Sequence, residues 1–374
     1  MRSLLTLFPV LAIAASLAAC DRGQEQSGPS GATPAPSQTS SAASDVKPAA
    51  AKKAFIDPEE LKKLKVLPAR MDSDTNPISD AKIKLGRMLY YETRLSKNHD
   101  VSCNSCHDLA AYGVDGKAFS PGHKGQLGGR SSPTSYNAGN HVAQFWDGRA
   151  NTLEDQAKGP ILNPVEMAMP DEKSVLAVVT SIKEYVDLFK EAFPDDKEPV
   201  SYDNLAKAIG AFERGLVTPS RFDKFLAGDE KALTDEEREG LAKYLSVGCQ
   251  SCHDGEALGG TTYQKLGKMN AYADLKDFGR FDHTKKDGDK FFFRVPSLRN
   301  IAKTGPYYHD GSIATLDEAV NTMAWHQLGV KLKADEVKSI VTFLNALTGD
   351  LPTDYIKQPE LPKSGPKTPK ADPT

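Results

Sequence analysis

The sequence predicts an all-α chain built from two similar domains, and three observations predict it. Apolar residues recur at helical spacing, as in Leu205, Ile209, Phe212 and Leu216, and again in Val337, Ile340, Val341 and Leu344. Strand-like alternation is scarce. A hexapeptide, Cys103-Asn104-Ser105-Cys106-His107-Asp108, returns as Cys249-Gln250-Ser251-Cys252-His253-Asp254, each copy preceded by a helix-like stretch.

The 374 residues are 39% hydrophobic and 26% charged, enough for two domains with their own cores. A formal net charge of -3 argues against nucleic acid as a partner, because neutralising phosphates takes a basic surface. Residues 1–19 read as a signal peptide: Arg2 supplies the charge, an apolar run follows, and small residues precede Cys20. The run is too short and badly flanked for a stable membrane span. Leu17-Ala18-Ala19-Cys20 resembles the lipobox of bacterial lipoproteins, where the chain is cut before the cysteine and that cysteine is acylated; an ordinary signal peptide is the alternative.

Residues 20–54 are rich in Ser, Pro, Ala, Gly and Gln, and read as a flexible tether behind the anchor. Residues 357–374 are Pro- and Lys-rich and read as a disordered tail. Between them the expected domains cover residues 55–218 and 219–356, the border falling at Thr218-Pro219 where a helical pattern meets a proline. Val175, Val179, Ile182, Val186 and Phe189 share a face of one expected helix over residues 174–193. Thr234 with Glu237 forms a capping box that starts a helix carrying Leu241 and Leu245 towards Cys249.

Five cysteines in an exported chain ordinarily imply disulfides. Here Cys20 goes to lipid, and the other four form two C-x-x-C pairs, each followed by histidine. C-x-x-C-H is the attachment signature of c-type haem: Cys103 and Cys106, then Cys249 and Cys252, bond the porphyrin, while His107 and His253 ligate iron. A four-cysteine zinc site is disfavoured, since its pairs usually lie within about twenty residues of each other. A thioredoxin-like pair leaves both histidines unexplained.

The sixth ligand decides what each haem does, because an open position activates peroxide and a closed one only passes electrons. His123 sits in a glycine-dense loop, residues 121–129, sixteen residues after His107, and suits a removable ligand. Met269 and Met323 compete for the second haem; Met269 lies sixteen residues after His253, and spacing does not choose between them. Glu166, in Asn163-Pro164-Val165-Glu166-Met167, is a candidate acid/base, since O–O heterolysis moves a proton from the near oxygen to the far one. Trp146 is redox-accessible and suited to the space between two haems, although core packing is the commoner role of tryptophan.

At this point the chain resembles the bacterial di-haem cytochrome c peroxidases, over roughly Phe55 to Gly349. The matching stretches are residues 103–107, Phe145-Trp146-Asp147-Gly148-Arg149, residues 162–167, Val295-Pro296-Ser297-Leu298-Arg299-Asn300 and Pro306-Tyr307-Tyr308-His309-Asp310-Gly311. The resemblance implies a peroxidatic first haem with His123 as distal ligand, and an electron-accepting second haem with Met323 rather than Met269. It also implies a catalytic Glu166 with Gln156 close by, and Trp146 between the haems. Calcium is usual in the family, here through the carbonyls of Thr304 and Pro306; Ser131 departs from the asparagine more often found, which leaves calcium binding open.

The expected activity is reduction of hydrogen peroxide with electrons from a small cytochrome c or cupredoxin, by a periplasmic protein on a lipid anchor. A homodimer is common among relatives. Two other readings are a di-haem oxidase acting on a partner protein, where a tyrosine replaces the methionine ligand, and a non-catalytic di-haem electron carrier.

Overall fold

In the computed structural model, which describes residues 54–273 and 275–374, short polar side chains start nearly every long helix. Ser79 caps Asp80–Tyr90, Thr152 caps Leu153–Leu162, Asp171 caps Glu172–Thr180 and Ser201 caps Tyr202–Glu213, each accepting a bond from an amide of the first turn. The Thr234–Glu237 capping box opens Asp235–Val247 as expected, and Gly248, at φ 95°, closes it. The signal segment, Cys20 and the tether through residue 53 lie outside the described residues.

Two apolar cores follow from these helices. In the first, Leu85 and Leu89 of Asp80–Tyr90 pack on Leu205, Ile209 and Phe212 of Tyr202–Glu213. In the second, Leu241 and Leu245 of Asp235–Val247 pack with Ile340, Phe343 and Leu344 of Ala334–Asn345. Both crossings rest on a glycine. A Cβ on Gly86 would lie 1.8 Å from the Ala208 carbonyl oxygen, and one on Gly240 would lie 2.2 Å from that of Ser339. Four residues beyond each glycine stands a buried tyrosine set against a phenylalanine of the opposing helix: Tyr90 at 5.4 Å from Phe212, Tyr244 at 5.2 Å from Phe343. The repeat visible in the cysteine motifs therefore extends to the helix pairs that hold them.

The single helix expected over residues 174–193 is two helices, Glu172–Thr180 and Lys183–Ala192. Thr180 and Ser181 turn their hydroxyls back onto the carbonyls of Leu176 and Val178, and the buried Ile182 adopts φ −115°, ψ 107° between them. The hydrophobic period survives this break, which is why spacing alone read through it.

Chain ends cross between the cores. Leu64, near the beginning of the described chain, belongs to the second core, and the amides of Lys65 and Gly255 bond the carbonyls of Gly255 and Lys63 at 3.1 and 2.9 Å. The segment after residue 357, expected to be disordered, instead lies along the first core. Leu361 packs there, Arg94 donates to the Pro362 carbonyl, Ser181 donates to Thr368, and the Asp372 amide donates to the Lys97 carbonyl. Proline lacks the donor, but its carbonyl still accepts, so a poor composition for a core remains adequate for a strap. Thr218, at the expected border, is fully buried between the cores and hydrogen-bonded to Asn137 and Asn300.

Strand content among the described residues is small: Tyr263–Lys265 pairs antiparallel with Phe292–Arg294, Gln264 facing Phe293. This ribbon brings residues 292–294 against Trp146, whose carbonyl accepts from the Arg294 amide at 2.8 Å.

Candidate active site

The first cysteine motif begins in the short helix Cys103–Cys106, braced by the Ser102 amide donating to the Ser105 hydroxyl at 3.0 Å. The second follows Gly248 as a tighter turn, Cys249–Ser251. In both, a helix tyrosine fixes the histidine backbone: Tyr90 donates to the His107 carbonyl at 3.0 Å and Tyr244 to the His253 carbonyl at 2.7 Å. The rings are fixed as well. His107 Nδ1 lies 2.9 Å from the Pro133 carbonyl and His253 Nδ1 lies 3.3 Å from that of Leu258. A carbonyl partner assigns the proton to Nδ1 and leaves Nε2 free as a ligand. Burial lowers the pKa of both imidazoles and so favours the neutral, ligating form.

The four thiols are free, and burial pushes those of Cys103 and Cys249 up, the latter to about 12. A redox pair of the thioredoxin kind needs the opposite shift. Around the second motif opens a mostly apolar cavity with about 1640 Å³ of atom-free space, part of it open to solvent, lined by Cys249, Cys252, His253 and Met323 among others. Neutral histidines with one nitrogen committed, free thiols beside them and a large apolar cavity fit a covalently attached haem. Met323 ends the helix Leu316–Met323 in that lining, whereas Met269 is 60% exposed and outside it.

His123 is not an exposed loop residue. It is 6% exposed, in a turn where Lys124 takes φ 57°, and its Nδ1 is buried without a partner. The structure joins His123 to Glu166: the His123 amide donates to the Glu166 carbonyl at 2.7 Å. Gly122 makes this approach possible, because a Cβ there would stand 2.2 Å from the Val165 oxygen and 2.7 Å from Glu166 Cα. The Glu166 carboxylate accepts from Asn163 at 2.7 Å, and burial raises its pKa against the opposing pull of Arg149 and Asn163. Gln156 lies half-buried on Leu153–Leu162, the helix whose Pro160 carbonyl accepts from the Met167 amide at 3.2 Å.

Trp146 donates from Nε1 to the Ser131 carbonyl at 2.8 Å, packs edge-on to His309 at 6.4 Å, and lines the cavity of the second motif. Ser131 is buried, its amide donating to the His309 carbonyl at 2.7 Å; Thr304 and Pro306 line the same cavity. Sequence reading missed the polar frame around these residues. Arg130 bridges Asp147 and Asp277 at 2.6 Å each, and His309 stacks on Phe293 at 4.3 Å. Asp147 and His309 carried a signal, inside the motifs at residues 145–149 and 306–311; an arginine in a loop has none until its carboxylates are located.

Residues 80–231 match the family model described as di-haem cytochrome c peroxidase. The chain is 47% identical to a cytochrome c551 peroxidase of Nitrosomonas europaea over 292 residues, covering 78% of this chain and 86% of that one. It is 45% identical to the cytochrome c551 peroxidase of Pseudomonas aeruginosa over 299 residues, 79% and 86% of the two chains. Among solved structures, a MauG-like protein associated with microbial copper homeostasis is similar at a TM-score of 0.71 and 31% identity, over 79% of this chain and 97% of that one. With these relatives and the geometry of its two Cys-x-x-Cys-His sites, the chain belongs to the di-haem cytochrome c peroxidase family, oxidoreductases that carry two c-type haems and act on peroxide.

Proposed function

We propose that the two sites divide the labour of reducing hydrogen peroxide to two waters, a reaction that consumes two electrons and two protons. Cys103 and Cys106 with His107 would hold the first haem, which would supply the site of peroxide chemistry. Cys249 and Cys252 with His253 and Met323 would hold the second, which would supply electron transfer from a small cytochrome c or cupredoxin. Bound iron supplies the redox chemistry at both places.

The chain's own residues do the rest. His123 would close the first site at rest and open a position for peroxide when released. Glu166 would take a proton from one peroxide oxygen and return it to the leaving one, a task that favours a carboxyl whose pKa burial raises. Gln156 orients peroxide beside it, and Trp146 lies on the route between the haems. One observation supports the reading above the rest: the backbone bond from His123 to Glu166, which joins the segments of the proposed removable ligand and the proposed proton carrier. Movement of one is then felt by the other.

The wider proposal places the protein in the periplasm on an acylated Cys20, in two cytochrome c-like domains. The carbonyls of Thr304 and Pro306 would hold a calcium ion, with Ser131 standing where the family more often has asparagine, and two copies would pair as a homodimer. Steady-state peroxide reduction by the fully oxidised and half-reduced forms, compared side by side, tests the division of labour: turnover should require the half-reduced form or be greatly raised in it. Equal turnover by both forms would remove the gating role of His123.

A further inference from the structure

Arg214, Arg294 and Arg299 are buried and Arg130 is half-buried, and three of these four arginines have carboxylate partners. Arg299 meets Asp223 at 2.7 Å, Arg214 meets Glu154 at 3.1 Å, and Arg130 meets Asp147 at 2.6 Å. Arg294 is 3% exposed and has no carboxylate within ion-pair distance among the described residues. Its side-chain contacts are long ones to main-chain carbonyls, 3.4 Å from Nε to Phe145 and 3.5 Å from Nη1 to Val295. A guanidinium keeps its charge at any physiological pH, and an unpaired buried charge costs several kcal/mol, roughly. Something anionic must complete it.

The cavity that Arg294 lines is the one containing Cys249, Cys252 and His253. His141 lines it too, with both ring nitrogens buried and without partners. A guanidinium without a counter-charge and an imidazole without a partner thus stand in one apolar cavity. The molecule expected there brings its own carboxylates.

We propose that Arg294, with His141 beside it, is a carboxylate receptor that grips a propionate of the second haem. Burial and the neighbouring Arg294 lower the pKa of His141, so it serves as a neutral donor while the guanidinium supplies the charge. The grip also reaches the route between the sites, because the Arg294 amide holds the Trp146 carbonyl at 2.8 Å. Arg294 is a positioning residue: it fixes the second porphyrin relative to Trp146 and raises that haem's potential by placing a positive charge against its edge. The inference rests on the di-haem reading. A free anion such as chloride or phosphate has matching chemistry and is separated from propionate by the test.

Holoenzyme carrying Arg294→Gln or Arg294→Lys would be compared with the unmodified protein. Haem per chain, measured as the pyridine complex, checks the di-haem reading by itself and should remain two, since thioethers hold the porphyrin. Spectroelectrochemistry of the Arg294→Gln protein should show the second haem's reduction equilibrium shifted at least tenfold towards the oxidised form, about 59 mV for one electron, with the first haem shifted far less. Resonance Raman should show the propionate bending band leaving its hydrogen-bonded position in Arg294→Gln and weakening in Arg294→Lys. An unchanged band and potential would overturn the proposal, as would a larger shift at the first haem. A potential that follows added chloride or phosphate in the unmodified protein but not in Arg294→Gln would also overturn it, by assigning the partner to solution.

Discussion

The two cysteine-histidine sites share a frame and differ in what faces it. Each has a glycine at a helix crossing, a tyrosine bonded to the histidine carbonyl, and an imidazole whose Nδ1 is tied to a backbone oxygen. The distal ligand proposed for the first, His123, lies in a turn flanked by Gly122 and Gly125 and joined to the Glu166 segment by a main-chain bond. That proposed for the second, Met323, lines its cavity at the end of a helix capped by Thr315. A side chain at the end of a packed helix moves only with the helix, whereas a short turn swings at the cost of a few hydrogen bonds. On the proposed reading, the duplicated frame faces two different distal supports, a short turn and a helix end.

The largest expected effect separates the sites by chemistry. Glu166→Gln should lower peroxide turnover about 10²- to 10⁴-fold, the usual worth of a general acid/base, with both haems retained and the second haem's potential unmoved. The sign of the pH dependence follows from burial. As the proposed proton acceptor Glu166 must be ionised, and burial raises its pKa, so activity should fall as pH drops, at a higher pH than an unperturbed glutamate would give. The variant should lack that limb. Turnover within threefold of normal would leave the first site without its proton carrier.

Next in size is the electron-entry site. Met323→Leu should shift the second haem's reduction equilibrium at least a hundredfold towards the oxidised form, about 120 mV for one electron, and slow reduction by donor cytochrome. Met269→Leu should do neither, since Met269 is largely exposed and lies outside the cavity lining. Potentiometry on both variants checks this pair.

A third experiment tests the movable support. Gly122→Ala forces a methyl group towards the Val165 oxygen, and the turn must shift to relieve it. The expected cost is about 1–3 kcal/mol in denaturant unfolding, typical of overpacking. The oxidised protein should also show loss of the low-spin signal assigned to His123 ligation, while the second haem is unaffected. A variant as stable as the parent, with that signal intact, would mean that the turn tolerates the displacement and that His123 is not held through it.

Much of the frame was legible in the sequence, and the remainder was not for physical reasons. Cys-x-x-Cys-His is local, so five consecutive residues carry the whole signal. The helices at 202–213, 235–247 and 334–345 announced themselves through spacing and, for the second, its capping box. Spacing could not see the break at Ile182, since the apolar face continues through it. Composition misread the segment after residue 357, because a strap held by its backbone needs no core of its own. Arg130 and Arg294 depend on residues far apart in the chain, as when Arg130 meets Asp277. Burial of His123 was hidden as well: glycines announce freedom of the backbone, and here that freedom is used for a close approach.

The smallest expected effect compares the frames themselves. Ser79 and Thr234 start the equivalent helices, Asp80–Tyr90 and Asp235–Val247, and replacing either with alanine removes one acceptor for a first-turn amide. Such losses cost about 0.5–2 kcal/mol. Ser79 makes one bond, 3.2 Å from the Lys82 amide, in an exposed position where water can replace it. Thr234 belongs to a reciprocal pair: the Glu237 amide donates to its hydroxyl at 3.2 Å, while its own amide donates to Glu237, whose carboxylate also receives Arg221 at 2.9 Å. Losing the hydroxyl therefore loosens a side chain that is itself bonded twice. Thr234→Ala should cost more than Ser79→Ala in chemical denaturation, and if unfolding proceeds in two steps the former should weaken only the step that releases the second core. Equal costs would mean that the capping box adds nothing to a single cap here, and that the two frames are energetically alike despite their different supports.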